Sequence, residues 1–210
     1  MKQFMTIFLS LLLVFALAAC GNGKEAKTEP KKPESKIEKL CRFNPDEGLR
    51  TIYEMDYNGQ KIKTENQFKG DKLYSKTDID GTPGTITILK GDYMYSLISA
   101  TKTGIKMEAP ESVRDALENS SGIAEAFKGY LKDVTVGTTE VDGQKYDSET
   151  VRIEKEDHYM EATYCFDGDE LVYIISDADG EKTTLKYLAY DDKVDEGVFE
   201  IPSGYTITEQ

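Results

Sequence analysis

Short runs in which polar and apolar residues alternate follow one another along most of this chain. The run LRTIYEMDY places Tyr53, Met55 and Tyr57 on one face of an extended segment, with Glu54 and Asp56 on the other. Alternation of this kind predicts a half-buried β-strand. Further strand-like runs are QKIKTENQF, KLYSKTDI, TITILK, YMYSLIS, QKYDSETVRI, HYMEATYCF, ELVYIIS and KTTLKYLAY.

Turn signals separate these runs at an even spacing of about 10 to 12 residues within two clusters. Asn-Gly and Asp-Gly pairs supply the positive φ angles that tight hairpins need. Short strands with such turns predict an antiparallel meander of about nine to eleven strands. The runs at 93–98 and 171–175 are apolar on both faces, so they must be covered on both sides. The turn signals are Asn58-Gly59, Lys69-Gly70-Asp71, Asp80-Gly81, Lys90-Gly91-Asp92, Asp142-Gly143, Asp167-Gly168-Asp169 and Asp179-Gly180.

One stretch, APESVRDALENSSGIAEAFKGYL, interrupts the strand rhythm and predicts two short amphipathic helices. Pro110 suits the first helical position. Val113 and Leu117 share one face, Ile123 and Phe127 share another, and the NSSG segment between them breaks the helix. A further short helix is expected in SKIEKLCRF. The predicted fold class is therefore mainly β (α+β), a large curved antiparallel sheet with one or two short helices on its concave face.

The chain begins with a charged residue, Lys2, and an apolar run that ends in the small residues Ala18 and Ala19 before Cys20. This is the plan of a secretory signal peptide over residues 1–19. The sequence Leu17-Ala18-Ala19-Cys20 resembles the lipobox of bacterial lipoproteins, which implies cleavage before Cys20 and a diacylglyceryl anchor on its sulfur. An ordinary secreted protein and an uncut membrane helix are the alternatives.

Residues 20–36 contain GNGKEAKTEPKKPESK, which has no aromatic residue and cannot bury enough surface to fold, so we expect a flexible tether behind the lipidated cysteine. The folded domain is then predicted over residues 37–210. The formal net charge is −13, and it becomes −14 once the segment containing Lys2 is removed. An acidic body repels nucleic acid and anionic bilayers, so membrane contact is assigned to the anchor and the basic tether.

Two cysteines remain in the exported body after Cys20 is lipidated. Cys41 and Cys165 are far apart in sequence, and a disulfide between them can persist outside the cytoplasm. Two buried free thiols give the same sequence pattern, and both alternatives stay open. Neither cysteine has a partner at zinc-ligand spacing, so no metal site is predicted.

The body follows a recurring order of glycine turns and aromatic strands, as in FKGDKLYSKTDIDG. A helical insertion interrupts this order, and the segment VFEIPSGY closes it. This order resembles the bacterial lipoproteins with the half-barrel fold of LolA and LolB, and it is similar in plan to the mycobacterial lipid-binding lipoproteins LppX and LprG. The resemblance implies an acyl-chain cavity between the sheet and the helices. The candidate lining residues are Tyr93, Met94, Tyr95, Leu97, Val113, Leu117, Ile123 and Phe127.

No catalytic constellation is predicted. The single histidine, His158, lies in a strand without a nucleophile motif around it. The acidic clusters DADGE and DGDE resemble calcium loops, but the glycine of Asp177-Ala178-Asp179-Gly180 is at the fourth position instead of the sixth. Hairpin turns explain them better. The thirteen tyrosines suit half-exposed strands as well as a binding surface.

Two functional hypotheses follow from the sequence. The first is a non-enzymatic, lipid-anchored module on the extracytoplasmic face of a bacterial membrane that binds an apolar ligand in its half-barrel. The second is a cell-envelope scaffold lipoprotein whose core is closed by its own side chains. Neither involves a cofactor or nucleic acid, and the protein partner is unknown.

Overall fold

The computed structural model describes residues 35–42, 44, 46–118, 131, 134–155 and 158–210, without the side chains of residues 115–118, 154, 155 and 158. The signal segment, Cys20, most of the tether and the predicted second helix with Ile123 and Phe127 lie outside these residues.

Within the described residues, one twelve-stranded sheet dominates the architecture. Its strand order is β12-β6-β5-β4-β3-β2-β1-β11-β10-β9-β8-β7, and every pair is antiparallel except the parallel pair β12 and β6. This large curved sheet confirms the predicted fold class, with β12 at 206–209 among the strands that the sequence runs did not include. The strands are β1 Leu49–Tyr57, β2 Gln60–Lys69, β3 Lys72–Ile79, β4 Thr82–Lys90, β5 Tyr93–Ile98, β6 Thr103–Glu108, β7 Thr135–Val141, β8 Gln144–Lys155, β9 His158–Asp167, β10 Glu170–Ala178, β11 Glu181–Asp191 and β12 Thr206–Glu209.

Two-residue turns join the strands at the predicted positions. Asn58 and Gly59 both have positive φ, 53° and 79°, and the three Asp-Gly turns follow the same pattern. In the three Gly-Asp turns only the glycine has positive φ. Both patterns match the hairpin turns that fit the twist of antiparallel strands. Because each turn has two residues, the residues that flank it pair directly, as Tyr57 pairs with Gln60.

Helices α1, Lys36–Leu40, and α2, Glu111–Glu118, occur where the sequence predicted them. We call the side of the sheet on which they pack the inner face and the opposite side the outer face. On the inner face of β1 and β8–β11, α1 covers the largest core cluster of the protein. Its buried members are Ile37, Tyr53, Leu131, Val134, Val151, Ile153, Phe166, Leu171 and Tyr187.

Helix α1 is held to the sheet by a buried carboxylate. Glu149 on β8 is only 6% exposed and accepts hydrogen bonds from the backbone N–H groups of Lys36 at 2.8 Å and Ile37 at 2.9 Å. The hydroxyl of Ser35 accepts from the N–H of Glu38 at 3.0 Å and completes a capping box. The first three N–H groups of the helix, which have no partner within it, are thereby satisfied from outside it.

A C-terminal strap, residues 192–207, covers the outer face of β3–β5. It contains a 3-10 helix, Glu196–Phe199, whose Phe199 is 1% exposed. Phe199 packs with Tyr74, Ile86, Ile88 and Leu97. This second core lies on the outer face of the first half of the sheet, whereas α1 covers the inner face of the second half and α2 packs on part of the inner face of the first half.

Candidate functional site

The inner face of β1–β6 carries no charged residue among the side chains of these strands. Strand residues alternate between the faces, and the strand registers, which include a β-bulge in β4 opposite Thr77 and Asp78, define which residues share the inner face from β1 to β6. Every charged residue of the six strands therefore lies on the outer face. They are Arg50, Glu54, Asp56, Lys61, Lys63, Glu65, Lys69, Lys72, Lys76, Asp78, Lys90, Lys106 and Glu108.

An apolar row crosses this inner face beside α2. Phe68 pairs with Leu73, Leu73 with Leu89, and Leu89 with Met94, so the four side chains stand next to each other on consecutive strands. Val113 of α2 packs against this group, in which Leu89 is 1% exposed. The row continues to Met107 on β6. It offers a continuous hydrocarbon surface across five strands.

A second row, two residues further along each strand, is polar. Its members are Thr51, Asn66, Ser75, Thr87 and Ser96, each paired with the next across β1–β5. We call it the inner polar row. Thr51, Asn66 and Ser75 are buried, whereas Thr87 and Ser96 are half-buried. With strands about 4.8 Å apart, the row extends over roughly 19 Å.

Within the inner polar row, the side chain of Asn66 has a buried acceptor that lacks a hydrogen-bond partner. Its side-chain N–H group donates to the hydroxyl of Thr51 at 3.4 Å. Its carbonyl oxygen Oδ1 is buried without any hydrogen-bond partner, although the residue is only 6% exposed. A buried acceptor in this state costs about 1–3 kcal/mol, and such groups are rare enough to need an explanation.

A third row continues the polar zone, with Thr64, Thr77 and Thr85 paired on β2–β4. Beyond it the apolar character returns at the edge of the sheet. Ile98 is 51% exposed and Ile79 is 36% exposed on this face. The inner face of β1–β6 is therefore amphipathic without being charged, with hydroxyl and amide groups between two apolar margins.

Buried tyrosines border this surface on the side of the second half of the sheet. The rings of Tyr53 and Tyr187 are 5.6 Å apart and those of Tyr187 and Tyr190 are 6.1 Å apart. The hydroxyl of Tyr190 donates to the backbone carbonyl of Leu40 at 3.0 Å, which ties the ring to α1. Burial raises the pKa of all three phenols and of Tyr164. These groups stay neutral at physiological pH, so they add no charge to the inner face.

The outer face shows the opposite electrostatics, because acidic residues of the strap and of β12 neutralise its lysines. Glu196 is paired with Lys69 at 2.6 Å and with Lys72 at 3.3 Å. Glu209 of β12 is paired with Lys106 at 2.7 Å. These lysines lower the pKa of both carboxyl groups. Within β1–β6, charge is thus confined to the side of the sheet that the strap covers.

The structure separates the candidate lining residues that the sequence placed together. Met94 and Val113 meet on the inner face. Tyr93, Tyr95 and Leu97 alternate with Met94 along β5 and therefore lie on the outer face, so including them in an inner cavity was wrong.

Each of these three side chains has its own role on the outer face. Leu97 is 0% exposed under the strap, and Tyr95 packs against the same cluster. The ring of Tyr93 lies under the ammonium group of Lys106 at 4.1 Å. The side chain of Leu117 lies outside the described residues, together with Ile123 and Phe127.

The two cysteines of the body are free thiols on opposite faces of the sheet. Cys41 packs against the α1 cluster beside Tyr164, and Cys165 follows Tyr164 in β9 and points the other way. A disulfide between them would have to pass through the sheet. Of the two alternatives that the sequence left open, the structure therefore shows the two free thiols. Burial and the nearby Glu38 raise the pKa of Cys41 to about 11, and burial raises the pKa of Cys165.

The acidic clusters hold turns together. The carboxylate of Asp177 accepts from the N–H of Gly180 at 3.0 Å, and that of Asp179 accepts from the N–H of Tyr159 at 2.9 Å. Among the described residues, no group of three His, Cys, Asp or Glu side chains is placed to hold a metal ion. No helix in the same part of the chain is long and apolar enough to cross a membrane.

Sequence reasoning missed Asn66, Ser75, Thr87 and Ser96 as features of the inner face. The signal was available only as far as β3, because two-residue turns let the alternation of β1 be continued to Asn66 and Ser75. A β-bulge at Gly84 of β4 then reverses the phase, so uninterrupted alternation would have placed Tyr93 and Tyr95, instead of Met94, on the inner face.

No protein-family model matches the sequence, and no curated protein matches it. Among solved structures, an uncharacterized conserved protein from Thermus thermophilus is similar with a TM-score of 0.47 and 9% identity, covering 83% of this chain and 95% of that chain. The lipoprotein LppX of Mycobacterium tuberculosis has a TM-score of 0.36 and 12% identity, covering 70% of this chain and 88% of its own. A structure of PNGF-II has a TM-score of 0.32 and 11% identity, covering 78% of this chain and 31% of its own. With TM-scores under 0.5, none of these likenesses bears on function.

Proposed function

We propose that this protein is a non-enzymatic lipoprotein, anchored through Cys20 to the extracytoplasmic face of a bacterial membrane, that binds a hydrophobic ligand on the inner face of β1–β6. The observation that carries the proposal is the complete sorting of charge to the outer face of these strands. A face that served only as solvent-exposed surface would not need to exclude charge. The half-buried Phe68 and Met94 offer an acyl chain a hydrocarbon surface next to α2.

The magnitude of this apolar contact is sufficient for lipid binding. Each methylene group removed from water contributes about 0.8 kcal/mol. Eight methylene groups laid along the apolar row would therefore contribute about 6 kcal/mol before the cost of ordering the chain. The membrane anchor needs two acyl chains to be stable, which the diacylglyceryl group implied by the lipobox supplies.

The second candidate function is a scaffold with a closed core. The cluster under α1 favours it, because Ile37, Leu131 and Val134 fill the inner face of the second half of the sheet with the protein's own side chains. In that case the protein would present its surface to a partner and would carry no ligand.

Native mass spectrometry of the full chain tests the two candidates. The protein is produced in a bacterial host, solubilised in detergent and released from micelles in the instrument, and bound molecules are identified after organic extraction. A bound lipid supports the first candidate. A mass that remains ligand-free after incubation with membrane lipids contradicts it and supports the scaffold.

Two exposed aliphatic residues give a matched pair of variants for this test. Ile98 is 51% exposed on the inner face of β5, and Leu188 is 47% exposed in β11, outside the proposed surface. Ile98→Glu places a charge on the uncharged face and is expected to reduce the co-purified lipid at least several-fold. Leu188→Glu makes the same chemical change elsewhere and should leave the amount of lipid unchanged.

The anchor is tested separately by Cys20→Ser in the full chain. This substitution is expected to abolish incorporation of radioactive palmitate and to prevent cleavage after the signal segment. Cys41→Ser serves as the control, since it removes a thiol from the folded body and should leave labelling intact. Continued labelling of the Cys20→Ser protein would contradict the assignment.

A further inference from the structure

The inner polar row has a chemistry that the proposed hydrophobic ligand alone does not use. A purely hydrocarbon ligand would leave five polar side chains facing it, three of which are buried. Placing hydrocarbon against such groups without hydrogen bonds is unfavourable. The row therefore indicates that the ligand itself carries a polar group at this position.

The geometry points to an uncharged amphipathic lipid whose hydroxyl or amide group donates a hydrogen bond to Oδ1 of Asn66, while its acyl chain lies along the apolar row. This inference rests on the proposed function, because it specifies the ligand class of the same surface. It joins two neighbouring rows, about 7 Å apart along the strands, into one site.

The unpartnered oxygen of Asn66 determines which part of the ligand must be the donor. Its amide N–H group donates to Thr51, whereas Oδ1 accepts nothing. A carbonyl oxygen can only accept, so the complementary ligand group is an O–H or N–H. Ser75, Ser96 and Thr87, which can donate as well as accept, would engage the remaining oxygens of the same polar group.

The absence of charge from these strand faces determines the net charge of the ligand. A phosphate or carboxylate moved onto a partly buried surface needs a cation to replace its hydration. The lysines and the arginine of β1–β6 all lie on the outer face, and Lys69, Lys72 and Lys106 are already paired with glutamates there. An anionic headgroup would find no counter-ion among these side chains, so a neutral headgroup is favoured.

Three lipids with identical acyl chains separate these contributions. 1,2-Dioleoylglycerol has one free hydroxyl group and no charge. 1,2-Dioleoyl-3-acetylglycerol has that hydroxyl blocked and remains uncharged. Dioleoylphosphatidic acid replaces the hydroxyl with an ionised phosphate. Binding of each to the full chain, delipidated and held in a non-ionic detergent, is measured by competition and native mass spectrometry.

We expect dioleoylglycerol to bind with the highest affinity and the phosphatidic acid with the lowest. The acetylated analogue should bind about 3- to 10-fold more weakly than dioleoylglycerol, which corresponds to one net hydrogen bond. Asn66→Leu, which keeps the side-chain size, should remove the preference for the free hydroxyl while both neutral lipids still bind. Thr150→Val removes a half-buried hydroxyl from the outer face of β8 and should keep the preference. Since the preference is measured in the unmodified protein first, the test does not depend on any variant folding.

The outcomes distinguish this inference from the function on which it rests. Equal binding of all three lipids, or tightest binding of the phosphatidic acid, would overturn the inference and leave the proposed function standing. Persistence of the hydroxyl preference in Asn66→Leu would refute the role of this residue. Failure of all three lipids to bind would overturn both.

Discussion

The docking of α1 by Glu149 gives the sharpest stability prediction. Glu149→Leu removes the acceptor of two backbone hydrogen bonds, so the partly buried N–H of Lys36 and the buried N–H of Ile37 lose their partner. Hydrogen bonds to charged groups contribute about 1.5–3 kcal/mol each. Relief of the buried carboxylate's own desolvation offsets part of that loss, so we expect a net destabilisation of about 2–4 kcal/mol. For a domain of this size, that lowers the melting temperature by about 5–15 °C.

Thermal and urea unfolding of the full chain measure this effect. Glu149→Gln retains one acceptor oxygen and loses the charge, so its stability should fall between those of the native protein and Glu149→Leu. The matched control is Glu140→Leu on β7, an exposed position whose change should stay within about 0.5 kcal/mol. Hydrogen exchange adds a local readout, because the amides of Lys36 and Ile37 should lose protection first. An unchanged melting temperature in Glu149→Leu would refute the docking argument.

Three further predictions concern the strap, a cross-strand ion pair and the thiols. Phe199→Ala should cost about 3–5 kcal/mol in urea unfolding, since it leaves a cavity under the strap; a loss under about 1 kcal/mol would contradict the burial of this ring. Asp191 makes a two-point ion pair with Arg50, at 2.9 and 2.7 Å, which lowers the pKa of its carboxyl below the ordinary 3.8. The ion pair stabilises the fold fully at pH values above the ordinary pKa, and this stabilisation is lost as the pH falls through the lowered pKa. Asp191→Asn should therefore flatten the decline in stability below about pH 4. An unchanged decline of stability with falling pH would argue against it. Cys41 and Cys165 should both be alkylated in unfolded, unreduced protein and should react slowly in the folded state. The reason for Cys41 is that a thiol with a pKa of about 11 is ionised in only roughly one molecule in a thousand at about pH 8. A disulfide-linked peptide in mass mapping would contradict the free-thiol assignment.

The sequence was sufficient to predict the sheet and its turns because both depend on neighbouring residues. An Asn-Gly or Asp-Gly pair adopts positive φ through local sterics alone, and the structure has such a turn at Asn58-Gly59 as at the Asp-Gly sites. Helix α1 was predictable for a related reason, since Ser35 and Glu38 form a capping box three residues apart. Local rules of this kind do not depend on the rest of the chain.

The coverage of each face was not predictable from these rules. Glu149 caps a helix 112 residues away, and Gln67 accepts a hydrogen bond from the backbone N–H of Asp195 across 128 residues of sequence. Nothing in the sequence near Glu149 distinguishes it from the exposed Asp147 of the same strand. The strap was likewise visible only as the segment VFEIPSGY, without any indication of which face Phe199 would cover.

The charge sorting of β1–β6 is predictable only in part, because each hairpin relates the faces of two strands and the relation must be followed from one hairpin to the next. The two-residue turns at 58–59 and 70–71 transmit the phase of β1 to β3, but a β-bulge in β4, opposite Thr77 and Asp78, reverses the phase before the turn at 91–92 passes it to β5. In a strand such as YMYSLI, which has no charged residue, alternation does not show which side chains face inward. Taken by itself, this strand gives no reason to choose among Tyr93, Met94, Tyr95 and Leu97 as lining residues. Its phase is set by that bulge, because uninterrupted alternation from β1 would put Tyr93, Tyr95 and Leu97 inside, whereas the extra residue Gly84 puts Met94 inside instead. The same registers, bulge included, align Asn66 with a row of hydroxyl groups, which means that the most specific feature of the candidate site is a property of several hairpins together and of no single motif.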